Sequence, residues 1–209
     1  MEKIGRREKE RLIRKSDIIS AAEEIFARRG FSATTMQEVA NLSEFGMSTL
    51  YKFFSSKYEL YCSVIDENLE KLHTRLAQLN EMQLDWRKAI ERFISDHLQF
   101  FQENRHFFRI YMAEKFGFTH EPERDLESRT KARIAEYVEH AESALRRWIE
   151  QGHLGTSGAR ERSLALLSTL ESHLSRWLTD DDATSAEERA ALIMGIFFTD
   201  PDCLHAEGG

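Results

Sequence analysis

A chain of 209 residues, 41% of them hydrophobic, is long enough to bury a sizeable core as one large or two modest domains. Its net charge of -7 argues against a protein that coats nucleic acid without regard to place. No stretch approaches the ~18 apolar residues of a membrane span, and the charged start MEKIGRREKERLIRK has no apolar run behind it to act as a secretory signal, so a cytoplasmic protein with no membrane partner is expected.

Two prolines, ten glycines and apolar residues spaced three and four apart, with no alternating strand pattern, predict an all-α protein. The first helix is RLIRKSDIISAAEEIFARRGF, with Ile18, Ala22, Ile25 and Phe26 on one face. Gly30 suits the left-handed C′ position that ends it, and Phe31 falls where a Schellman motif sets an apolar contact back to Phe26. Thr35-Met36-Gln37-Glu38 is a capping box, so a short second helix starts at Thr35 with Met36, Val39 and Ala40 inward. After a turn over 41–44, a third segment runs over roughly 45–52, anchored by Phe45 and Leu50. Ser56-Lys57-Tyr58-Glu59 is a further capping box and opens a long helix in which Ile65, Leu69, Leu72, Leu76 and Leu79 alternate steps of four and three. Helices are then expected at about 84–103, 104–117, 123–151, 159–179 and 186–199, with breaks at FGFTHEPE, QGHLGTSG and TDDDATS. Ser185-Ala186-Glu187-Glu188 caps the last of them, and the tail DPDCLHAEGG should fray.

Two short helices joined by a four-residue turn and packed on a longer one are the makings of a helix-turn-helix. The second helix of such a unit must be narrow on its outer face to enter a major groove ~12 Å wide. Gly46, Met47, Ser48 and Thr49 supply that face, while Leu50 holds the opposite side. Tyr51 and Lys52 sit at the far end, where a phenol and an ammonium reach phosphates. Lys57 and Thr35 stand at helix starts, where a charge or a hydroxyl can join free backbone N–H groups on one phosphate. A plain three-helix core would also explain Phe54 and the other apolar positions, but not a small polar face followed by Tyr51 and Lys57.

The charge is also unevenly spread. Residues 1–60 carry 11 Lys and Arg against 9 Asp and Glu, and residues 61–209 carry 18 against 27. A basic head on an acidic body suits an anionic partner at the head alone, or else a merely solubilising tail.

Half of the fourteen phenylalanines lie between positions 93 and 118: Phe93, Phe100, Phe101, Phe107, Phe108, Phe116 and Phe118, joined by Tyr111 and Met112. Such a cluster suits an apolar cavity for a flat or greasy ligand, with His97, Tyr137, His140 and Trp177 as polar contacts, although for any one of these residues an ordinary packed core is the commoner reason. Eight scattered histidines and two distant cysteines, Cys62 and Cys203, form no metal or disulfide pattern, and no GxSxG, phosphate loop or HExxH marks an enzyme. Neither metal nor cofactor is expected. Leu164, Leu167, Leu170, Leu174, Ile193, Met194 and Phe197 give the last two helices broad apolar faces, which need cover from within the chain or from a second copy as a four-helix bundle.

The run IISAAEEIFARRGFSATTMQEVANLSEFGMSTLYKFFSSKYELY, residues 18–61, resembles the N-terminal domain of the tetracycline-repressor (TetR) family of bacterial transcription regulators. The matching positions are Ala21-Ala22, Phe26, Gly30, Thr34-Thr35, Val39-Ala40, Thr49-Leu50-Tyr51, Phe54, Ser56-Lys57 and Leu60. The resemblance implies a helix-turn-helix DNA-binding domain over 1–60 and a helical ligand-binding and dimerisation domain over 61–209. It further implies a homodimer on a palindromic double-stranded operator, a small-molecule effector that resets the two heads, and repression as the commoner outcome; the alternative is the same dimer answering to a protein partner. Thr35, Tyr51 and Lys57 match the family's phosphate-contacting positions, and Gly46, Met47, Ser48 and Thr49 occupy its variable recognition face. Many members have Gly-Val-Ser-Lys-Gly before Thr-Leu-Tyr where this chain has Glu44-Phe45-Gly46-Met47-Ser48, so Glu44 is expected to need a left-handed or otherwise altered backbone, and the start of the recognition helix stays open by about a residue.

Overall fold

A computed structural model of the chain describes residues 5–116, 124–152, 158–180 and 184–198, the side chains of 116, 124–128 and 177–180 excepted. Among the described residues the backbone forms nine helices and no strand: α1 (Arg6–Ala33), α2 (Met36–Leu42), α3 (Met47–Phe53), α4 (Lys57–Glu81), α5 (Trp86–Glu103), α6 (Arg105–Phe116), α7 (Arg124–Gln151), α8 (Ala159–Asp180) and α9 (Ala186–Phe197). None of them is long and apolar enough to cross a membrane. The helices group into two compact units, one of Met1–Glu70 with His106–Ala135 and one of Lys71–Arg105 with Glu136–Gly209.

In the first unit, α1 starts at Arg6, earlier than its apolar stripe. Charge pairs one turn apart, Arg6 with Glu10 at 2.9 Å and Arg11 with Glu8 at 3.2 Å, support those exposed turns. Gly30 has φ 75° and ψ 170°, a break that a side chain would strain, and a last turn follows to Ala33. The expected contact across that break is present, with the Phe26 and Phe31 rings stacked 6.1 Å apart. Tyr61 of α4 wedges edge-on against both, at 4.8 and 5.1 Å, and its hydroxyl donates to Glu114 at 2.7 Å. Thr130 of α7 donates to the other oxygen of that buried carboxylate at 2.6 Å, so a polar knot ties α4, α6 and α7 inside an aromatic core.

The α4 start differs from a full capping box. Ser56 accepts from the Glu59 N–H at 3.1 Å, but the Glu59 carboxylate reaches back to Ser55 instead, taking its N–H at 2.7 Å and its hydroxyl at 2.6 Å. Those two bonds hold the Glu59 carboxyl below its ordinary range.

In the second unit, α5 packs on α8 and α9, and α8 on α9. Asp85 caps α5 by accepting the Lys88 N–H at 3.1 Å, and Ser185 and Glu188 form the complete capping box of α9. The Trp86 ring lies 5.8 Å from that of Phe198 and presses on Gly152 so closely that a Cβ there would sit 2.6 Å from Trp86. Gly152→Ala is therefore expected to destabilise the fold by about 1–3 kcal/mol through overpacking, read as a lowered Tm. An unchanged Tm would show that the indole can swing aside.

Candidate nucleic-acid interface

Helices α2 and α3 form the helix-turn-helix that the spacing predicts, with two local differences. Thr35 caps α2 as a complete capping box: its Oγ1 accepts the Glu38 N–H at 3.3 Å and its own N–H donates to Glu38 at 2.9 Å. The turn then extends to Gly46, and α3 starts at Met47 where the spacing predicts a start near 45. Glu44 takes the left-handed conformation, φ 58°, as its place in the turn demands. Phe45 therefore lies half-buried in the turn, its N–H on the Ala40 carbonyl at 3.1 Å, and not on the recognition helix.

Helix α3 is held from behind by Leu50, fully buried, with Phe54 buried just past its end. None of its outer positions is fully buried. Gly46 and Ser48 are exposed, Met47 and Thr49 half-buried, and a Cβ at Gly46 would meet nothing nearer than Ser48 Oγ at 4.0 Å. Tyr51 stands 52% exposed and Lys52 exposed beside it, neither with a hydrogen bond or ion pair to the described residues. A phenol, an ammonium and a narrow polar edge thus converge at one end of a short helix.

Two further positions read as phosphate ligands are engaged within the protein. The Thr35 hydroxyl donates to Glu38 at 2.9 Å. The Lys57 ammonium bonds the carbonyl oxygens of Phe31 at 2.8 Å, Thr34 at 3.0 Å and Ser32 at 3.3 Å, and lies 4.3 Å over the Phe31 ring. Its three donors are thereby matched to three carbonyls at the end of α1, of which that of Phe31 also accepts the Thr34 N–H at 3.2 Å. Lys57 fastens α1 to α4, a role that no local pattern signals because its partners lie 23 to 26 residues away.

The aromatic-rich stretch divides between the two units. Phe107, Phe108 and Tyr111, all buried, and half-buried Met112 belong to the first; Phe93, His97, Phe100, Phe101 and Tyr137, all buried, and exposed His140 belong to the second. The Trp177 side chain lies outside the described residues. Phe93, His97 and Tyr137 line a cavity of about 10 Å³ with Leu72, Arg75, Leu76, Leu79 and Asp96. The Tyr137 hydroxyl and His97 Nδ1 are joined at 3.0 Å, and burial, reinforced by Glu171, pushes the phenol up so that it keeps its proton.

On the last two helices, Leu167, Leu170, Leu174, Ile193 and Met194 are buried within the chain, while Leu164 and Phe197 are half-buried. The apolar side chains that α9 turns outward are Leu192, 62% exposed, and Ile196, 64% exposed, which the helical spacing alone does not single out.

Comparison with known proteins agrees with this geometry. Residues 18–64 match the family described as bacterial regulatory proteins, tetR family. The HTH-type transcriptional activator FasR of Mycolicibacterium smegmatis is 26% identical over 103 residues, covering 49% of this chain and 47% of that protein. The chain spans about half or less of the length of the curated relatives it matches. Among solved structures, the TetR family transcriptional regulator PfmR of Thermus thermophilus superposes with a TM-score of 0.68 at 28% identity, over 86% of this chain and 96% of that one. The transcriptional regulator FadR of Bacillus subtilis, in complex with stearoyl-CoA, shares the fold at 14% identity with a TM-score of 0.71, over 88% and 97% of the two chains. The helix-turn-helix lies inside the segment that matches bacterial regulatory proteins of the tetR family, and the chain shares the fold of a TetR family transcriptional regulator.

Proposed function

We propose that the protein is a ligand-responsive transcriptional regulator, a repressor, that binds a palindromic DNA operator as a homodimer. Residues 1–60 would read the DNA, and residues 61–209 would take the effector and the second subunit. The observation that carries this is the outer face of α3: Ser48 and Thr49 beside an exposed Tyr51 and Lys52 that have no hydrogen bond or ion pair to the described residues, with Leu50 and Phe54 buried behind. Gly46 to Thr49 meet base edges, Tyr51 and Lys52 meet phosphates, and Thr35 and Lys57 flank them. Dimerisation is supported by the exposed Leu192 and Ile196 of α9, with Phe197 beside Ile196 in the chain half-buried. Selection of bound fragments from random duplex DNA is expected to enrich a palindrome whose half-sites lie about 10 base pairs or a multiple apart. No enriched sequence at either low or moderate salt would sink the proposal.

For the effector we favour a small apolar or aromatic molecule, and the stearoyl-CoA held by the fold neighbour FadR makes a long acyl chain the first probe. The cavity beside His97 and Tyr137, about 10 Å³, has room for roughly one water, so an effector must part the core to enter. So narrow a cavity among the core aromatics also supports the second reading, control by a protein partner. Release of the operator by a long-chain acyl-CoA or fatty acid supports the first reading. An operator complex indifferent to acyl and aromatic molecules alike supports the second.

A further inference from the structure

We infer that the first turns of α1 form a second phosphate-binding surface, made of Arg7, Arg11, Arg14 and Lys15, which extends the operator contact beyond α3. The inference rests on the DNA-binding reading above and names side chains outside the helix-turn-helix itself. It starts from the geometry of α1. At roughly 100° per residue, Arg7 and Arg11 lie within about 20° of the direction of Ile18, Arg14 within about 40° and Lys15 within about 60°. Ile18, with Ala22 and Phe26, is buried in the face that α1 turns to the core. The basic side chains therefore continue the inner stripe of α1 past the point where the core ends, and all four are exposed.

What that overhanging face adjoins is visible in two contacts. The Arg11 guanidinium stands 6.0 Å from the centre of the Phe53 ring, and the Lys15 ammonium 5.9 Å from that of Phe54. Phe53 and Phe54 directly follow Tyr51 and Lys52 at the end of α3. The basic face thus reaches the two residues that directly follow Tyr51 and Lys52, whose phenol and ammonium are exposed and have no hydrogen bond or ion pair to the described residues.

Charge completes the case. Residues 6–15 carry six Lys and Arg against two Asp and Glu, in a chain whose net charge is -7. Both acids are engaged in exposed pairs, Glu10 with Arg6 and Glu8 with Arg11, which hold too weakly to keep an arginine from a phosphate. Arg7, Arg14 and Lys15 have no hydrogen bond or ion pair to the described residues. A solubilising tail would scatter its charges around the helix; here four lie on one side, and Lys9, about 180° from Ile18, and Arg6, about 120° from it, lie away from that side. The partner that fits a linear basic face in register with Tyr51 and Lys52 is the DNA backbone on which α3 docks.

The test uses the full-length chain, the duplex enriched by selection, and affinity measured against salt. The variant is Arg7→Ala with Arg14→Ala, chosen because neither side chain packs on Phe53 or Phe54. Each lost phosphate contact should remove about 0.9 from the slope of log affinity against log salt, so the drop in affinity between about 50 and 200 mM salt should shrink by roughly twelve-fold. Lys9→Ala, on the far side of the same helix, should keep the wild-type slope. An unchanged slope in the double variant, or an equal change in Lys9→Ala, overturns the inference while leaving operator binding in place. A wild-type chain that enriches no duplex overturns the parent reading, and this inference with it.

Discussion

Leu192→Glu combined with Ile196→Glu is expected to convert the protein to a monomer and to abolish tight operator binding, while the chain stays folded. Both side chains are more than half exposed on α9, 62% and 64%, so neither supports the core of its own subunit. In a two-fold pair each occurs twice. Covering the four exposed portions contributes roughly 4–7 kcal/mol, equivalent to about 10³- to 10⁵-fold in the dimer dissociation constant. Two glutamates per subunit remove that term and place like charges across the axis. The operator loses more than its partner chain, because two linked heads hold the second half-site at an effective concentration in roughly the millimolar range. Light scattering with size-exclusion chromatography gives the mass, circular dichroism the helix content. A dimer that survives the double change would move the subunit contact to another face.

The second large effect concerns Lys57, and it is expected in stability before it is seen in binding. Lys57→Ala removes an ammonium hydrogen-bonded to three carbonyls at the end of α1 and leaves the Phe31 carbonyl, at 2.8 Å its nearest partner, without that donor. Hydrogen bonds to a charged group contribute about 1.5–3 kcal/mol each where buried; with this site half-buried and water able to replace part of the loss, about 2 kcal/mol is expected overall. The variant should melt several degrees lower, yet its operator affinity, measured well below the melt, should keep the wild-type salt slope. Lys52→Ala should do the reverse, leaving the melt alone and removing about 0.9 from the slope. Tyr51→Phe, which removes a neutral hydroxyl, should weaken every sequence alike. A Lys57→Ala chain with an intact melt and a reduced salt slope would return that lysine to the DNA.

Why Lys57 escapes a sequence argument is instructive about the rest. Helix ends are legible where the signal is local: the Thr35–Glu38 and Ser185–Glu188 boxes and the break at Gly30 all lie where spacing and residue type put them. Even the unfavourable backbone at Glu44 can be anticipated, because the turn needs a positive φ whichever residue fills it. Contacts between distant segments leave no such mark. The Glu114 carboxylate between Tyr61 and Thr130 reads in the sequence as one more acid on a helix. The aromatic stretch shows the opposite failure. Phe101 and Phe107 lie six residues apart in the chain yet belong to different compact units, on either side of the helix end at Asn104.

Helix α3 has only seven residues, too few to persist in water without tertiary support, and that support comes through Leu50 from one side. Drift at Ser48 or Thr49 is therefore nearly silent in folding stability. On the proposed reading of α3, operator preference can therefore change by substitution there without compensating changes in the core, whereas a change at Leu50 would loosen the helix itself.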